Sequence, residues 1–127
     1  MRMSASGSSP KPRSLAADHL GRARAAYAVD DWTAVVLWAA LALEAAVATS
    51  AARLGMDDRK DHHRRATLAR RLHEQGVLPE DLGSLLIRLN TERKHAVHEG
   101  RQPDLRGRDW DSVLDSIERA VAAADGS

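Results

Sequence analysis

The residues able to do chemistry are concentrated in one short stretch, LNTERKHAVHEG, over 89–100. It places Arg93, Lys94, His95 and His98 within six positions, with Glu92 just ahead and Gly100 behind. Histidine suits proton transfer near neutral pH, because its ordinary pKa lies there. Arginine offers a planar fork of N–H donors that grips phosphate oxygens and steadies negative charge as it builds. A second reading of the same residues is metal binding, since Glu92 and His95 form a Glu-x-x-His step of the kind found in di-iron helical bundles. Such bundles need two steps and two further carboxylates, and this chain has one step with Glu44 as a helper.

The stretch reads as the end of an amphipathic helix. At 100° per residue, Leu82, Leu85, Leu86, Leu89 and Ala96 share one stripe, and Arg93 falls about 40° from Leu89. A guanidinium on a core-facing stripe is costly unless it is paired or borders water or a partner. Glu44, the lone charge within its own apolar segment, is the pairing expected if Arg93 is a core residue. His98 lies about 140° from Arg93 on a regular helix. As a plain helix-end residue it would interact with the macrodipole as a cation.

The elements that must position these residues are helical. The chain has 127 residues, which suits one domain able to bury roughly two-thirds of its unfolded surface. It has no Phe, one Tyr and an apolar content dominated by Ala and Leu, too few β-branched and aromatic residues for a sheet. Cysteine is absent, which excludes disulfides, thiolate metal sites and cysteine nucleophiles and fits a reducing, cytoplasmic setting. The net charge of +1 gives no global field toward nucleic acid. The basic residues are 16 Arg against 3 Lys, a skew that GC-rich coding explains as readily as phosphate binding.

The opening MRMSASGSSPKP has no apolar core of a secretory signal, and its Ser, Gly and Pro content predicts a disordered tail over 1–13. A single all-α domain, an antiparallel bundle of about five helices, follows over 14–124. Ser14 caps helix 1, which runs to about Val29. Asp30 and Asp31 stand at the start of helix 2, which continues to about Leu54 and stops at Gly55. Helix 2 is apolar nearly all round, so protein should surround most of it, a second copy of the chain included. Its run AVVLWAALALEAAVA is short for a membrane span and carries Glu44. Helix 3 ends at Gly76, Pro79 opens helix 4, and helix 5 starts near Asp109 with Trp110, Val113, Leu114, Ile117 and Val121 on one face.

Three segments together resemble the HEPN superfamily of helical domains: HLGRARAAY in helix 1, DDWTAVVLWAALALEAAV in helix 2, and LPEDLGSLLIRLNTERKHAVHEG in helix 4. The resemblance spans about residues 14–100. The signature of that family is an arginine, four to six residues and a histidine; Arg93 to His98 fits the four-residue form at the expected place. Arg13 to His19 and Arg88 to His95 fit the same loose pattern, and the second pair shares one helix face. Catalytic members commonly carry Asn, Asp or His after the arginine, where this chain has Lys94.

The resemblance implies a metal-independent ribonuclease, without cofactor, acting as a homodimer in which two motifs face one another. RNA supplies its own nucleophile, the 2′-hydroxyl, so acid–base groups and charge stabilisation suffice. Arg93 would hold the scissile phosphate and His98 would move protons, with Lys94, His95 and Glu44 in support. Toxin or defence activity, and a separately encoded nucleotidyltransferase as antitoxin, are further implications. A helical adaptor that dimerises without catalysis is the alternative. Arg64 and Arg71 share a face of helix 3 and form a weaker candidate for RNA backbone contact. Asp57, Asp58, Asp61, His62 and His63 make a hydrophilic loop whose spacing fits no standard metal site.

Overall fold

The computed structural model describes residues 13–56, 62–99 and 102–126, with side chains except at 62–64 and 96–99. Among them are five α-helices: α1 (Leu15–Ala28), α2 (Trp32–Arg53), α3 (His62–Glu74), α4 (Gly83–Glu99) and α5 (Trp110–Ala124). The chain is an all-α helical bundle. The predicted tail lies, but for Arg13, outside the described residues, as does the Asp57–Asp61 part of the hydrophilic loop.

The helix ends follow from local chemistry. Ser14 Oγ accepts from the Ala17 amide at 3.1 Å, and Asp31 Oδ1 from the Ala34 amide at 3.3 Å, closing open donors of the first turns of α1 and α2. The stops expected at Gly55 and Gly76 are present, with φ of 70° and 77°. One start is corrected. Pro79 does not open α4; it sits in a bend four residues ahead, and Asp81 Oδ1 takes the Gly83 amide at 2.9 Å instead. The bend has its own task, since Glu80 reaches Arg119 at 2.9 Å and Ser116 at 3.3 Å on α5. Proline marked the neighbourhood, and the side chain two residues later set the register.

Helix α2 is the axis of the fold, packed by α1, α3, α4 and α5. Val35, Val36, Ala39, Leu43, Ala46 and Val47 have no exposed surface. Their small volumes let neighbouring backbones come close, and truncating one of the large ones, Leu43→Ala, should cost about 2–5 kcal/mol. By length and composition α2 could cross a membrane, but 56% of its apolar window is buried against the other helices. This is the burial expected of the central helix of a bundle.

The directions of the helices follow from contacts at their ends. A three-residue turn makes α1 and α2 antiparallel. Trp32 and Trp110 lie 6.3 Å apart at the starts of α2 and α5, and Arg53 at the end of α2 donates to Ala124 O at 2.6 Å at the end of α5. These two helices are therefore parallel. Ser14 Oγ donates to Asp125 Oδ2 at 2.9 Å, so α1 runs against α5. Partial burial, and then the charge and hydrogen bond of Asp111, raise the Tyr27 phenol above its ordinary pKa at the other end of that seam. Helix α4 follows a bend that reaches α5 at Ser116 and Arg119 through Glu80, and its Arg88 and Glu92 hold the loop that leads into the start of α5. It therefore runs against α2 and α5.

Candidate functional site

Helix α4 buries Leu85, Leu86 and Leu89 against the rest of the bundle, and Glu92 continues that stripe at 1% exposure. Arg93, placed on the stripe by the wheel, is half-buried at its edge. The helix therefore turns a carboxylate, not the guanidinium, fully inward. The reason is a set of partners that spacing alone does not reveal. Glu92 Oε1 accepts from the Asp104 amide at 2.6 Å, and Oε2 from Arg88 Nη2 at 3.0 Å. Arg88 Nε then donates to Asp104 O at 2.7 Å. Glu92 and Arg88 thus clamp the backbone of the loop that follows α4, and a buried carboxylate is tolerated because both oxygens are bonded.

This clamp bears on two readings. Glu92 commits both oxygens to the fold, so the Glu-x-x-His step is not poised for a metal, and no group of three or more metal-ligating side chains converges among the described residues. Arg88, the first member of the Arg88–His95 pair, is likewise held by Glu92 and by Asp104 Oδ2 at 3.6 Å. His95 lies exposed on the same helix face.

The pairing of Arg93 with Glu44 is also corrected. Glu44 is buried, but its partner is Arg65 of α3, at 2.9 Å from Oε2. The basic run at the start of α3 reaches α2 first. Arg93 makes no ion pair or hydrogen bond to any described residue, and neither does its exposed neighbour Lys94. The site therefore presents a half-buried guanidinium that meets no anion among the described residues. His98 lies one turn further on, in the helical backbone of α4, and its side chain is outside the described residues. So is that of Arg64, while Arg71 stands exposed on α3.

Beside α4, helix α2 carries a second feature. Ala34, Leu37, Trp38, Leu41, Ala45 and Ala48 recur at helical spacing and are each only partly buried. They form one apolar face. On one flank Trp38 packs on His19 of α1, ring centroids 5.3 Å apart, with the Arg22 guanidinium 4.9 Å from the Trp38 ring. On the other flank Glu44 pairs with Arg65 of α3. Helices α1, α3, α4 and α5 pack on the rest of α2, as expected of a helix that protein surrounds on most sides.

Comparison with protein-family models, with curated proteins and with solved structures found no match to this chain.

Sequence reasoning missed the clamp. A weak signal was present: Arg88 and Glu92 stand four apart on α4, and Pro103-Asp104 follows the helix closely. Gly83 was missed too. A Cβ there would lie 2.7 Å from Ala66 O, so glycine lets the first turn of α4 rest on the backbone of α3.

Proposed function

We propose that this protein is a HEPN-like, homodimeric, metal-independent endoribonuclease of the toxin or defence type. The observation that carries the reading is Arg93: a half-buried guanidinium near the end of α4, unpaired among the described residues while the carboxylates Glu44 and Glu92 are engaged elsewhere. A cation in that setting gains most from an anion brought from outside, and a phosphodiester fits its fork. The apolar face of α2 supports the dimer, because contiguous apolar surface on a small domain marks a place for a partner. A twofold axis through it would bring two copies of the motif into one cleft.

On this reading the 2′-oxygen attacks the adjacent phosphorus, and the bond from phosphorus to the 5′-oxygen breaks. One His98 accepts the 2′-hydroxyl proton and the other protonates the leaving 5′-oxygen, while Arg93 steadies the phosphorane charge. The products are a 2′,3′-cyclic phosphate and a 5′-hydroxyl. The test is cleavage of a mixed RNA pool with excess EDTA, using wild type, R93A and H98A of equal fold and oligomeric state. Cleavage by wild type should fall by about 10²–10³-fold in R93A and by about 10²–10⁴-fold in H98A. RNA carrying 2′-O-methyl groups should be inert. Cleavage unchanged in both variants would refute the assignment.

Lys94 favours a second reading, a non-catalytic dimerising adaptor partnered with a nucleotidyltransferase. There the α2 face alone carries function. A dimer that leaves the RNA pool intact, in the cleavage assay above, is its signature.

A further inference from the structure

An open groove of about 470 Å³ runs along α4 on the side of the clamp. Its floor is aliphatic, made by Leu85 and Leu105, with Ile87 on the wall at 57% exposure. Its other walls carry Arg88, Arg106 and Arg108. Arg88 is neutralised by Glu92 and Asp104. The guanidinium groups of Arg106 and Arg108 make no ion pair or hydrogen bond among the described residues. Among the described residues no carboxylate and no aromatic ring lines the groove.

The walls are held in place. Glu92 and Arg88 grip both the amide and the carbonyl of Asp104, and Asp104 Oδ1 accepts from the Arg106 amide at 2.8 Å. Arg106 and Gly107 then both take positive φ, 58° and 82°, in a turn closed by Arg108 N to Leu105 O at 3.2 Å. This fixes the backbone that carries two cationic side chains at the rim of an apolar slot.

From this we infer that the groove is a docking site for a short acidic peptide segment of a partner protein, anchored by one aliphatic side chain. The anchor would cover Leu85, Leu105 and Ile87, and flanking carboxylates would meet Arg106 and Arg108. Charge complementarity chooses the occupant. The tail of this chain, MRMSASGSSPKP, carries Arg2 and Lys11 and no acid, so it would be repelled. A nucleic-acid strand would find no ring to stack on, and the aliphatic floor would offer its phosphates nothing. An apolar anchor within a charged rim is the common anatomy of peptide recognition. The groove borders the buried stripe of α4 at Leu85 and does not depend on the ribonuclease reading.

The test uses the full chain and fluorescence anisotropy. The probes are labelled 12-residue peptides in which one Leu, Ile or Met is flanked within three residues by Asp or Glu, and a labelled 12-nucleotide RNA. Peptide binding at micromolar concentration is expected, weakened at least tenfold by R106E/R108E and several-fold by I87S, with helical content unchanged. I87S carries the test alone should the double variant fold poorly. Absence of peptide binding overturns the inference, as does binding indifferent to these substitutions. Loss of RNA binding in R106E/R108E without any peptide binding would make the groove a nucleic-acid surface, and overturns it equally.

Discussion

Arg88 and Arg93 sit five residues apart on one helix and lead opposite lives. Arg88 is one-fifth exposed and bonded to Glu92 and to the backbone of Asp104. Arg93 is half-buried, and no described residue answers its charge. Both begin an arginine-to-histidine spacing, so a sequence pattern treats them alike. The difference lies in what the chain brings back to meet each. Loop 102–109 returns over Arg88 with an acid and a backbone carbonyl, and the acid that spacing suggested for Arg93 has been taken by α3. An arginine that the fold answers this fully is structural; Arg93 has no such answer among the described residues.

Changes to the clamp should have the largest effect on stability. Removing Glu92, as E92A, leaves Arg88 and the Asp104 amide without their acceptor and should cost about 3–5 kcal/mol. For a domain of this size that corresponds to a fall of roughly 10 °C or more in the melting temperature. E92Q retains an acceptor for the amide and should lose less. A melt unchanged in E92A would show that the loop is held by other means.

The α2 face comes next. L37E/L41E places two charges on a surface that the fold leaves half open, so the monomer should remain helical. Sedimentation should show a dimer for wild type and a monomer for the variant. A variant that stays dimeric would move the interface elsewhere, and one that unfolds would show that the face is core.

Smaller effects are expected on the α3 side. Gly83→Ala sets a methyl against Ala66 O, and the first turn of α4 must shift, at about 1–3 kcal/mol. Replacing Glu44 by Leu leaves the partly shielded Arg65 guanidinium without its acceptor and should cost about 1–3 kcal/mol. A large loss in E44L would mean that the Glu44–Arg65 pair governs the placement of α3. Both values come from chemical denaturation.

Much of the fold was legible, for identifiable reasons. Ser14, Asp31, Gly55, Gly76 and Asp109 mark their helix ends through local bonds and backbone preferences that need no tertiary knowledge. Trp110, Val113, Leu114 and Ile117 repeat at a period that only one face of a helix can satisfy. The start of α4 was misplaced because a proline is a visible signal, whereas the Asp81 side chain that took the open amide is one polar residue among several. The candidate site was legible only as a group of residue types. Whether Glu44 met Arg65 or Arg93, and whether Glu92 faced a metal or a loop, depended on contacts 21 and 12 residues apart in the chain. Helical periodicity carries no information at those separations.

On the proposed reading α4 carries one arginine for the fold and another for RNA. The most direct test measures thermal unfolding and RNA cleavage in EDTA side by side for wild type, R88M and R93M. R88M should lose about 3 kcal/mol of stability while the folded fraction still cleaves. R93M should melt close to wild type and lose about 10²–10³-fold in cleavage. If R93M instead melts early, or cleaves as wild type does, Arg93 belongs to the fold and the site lies elsewhere.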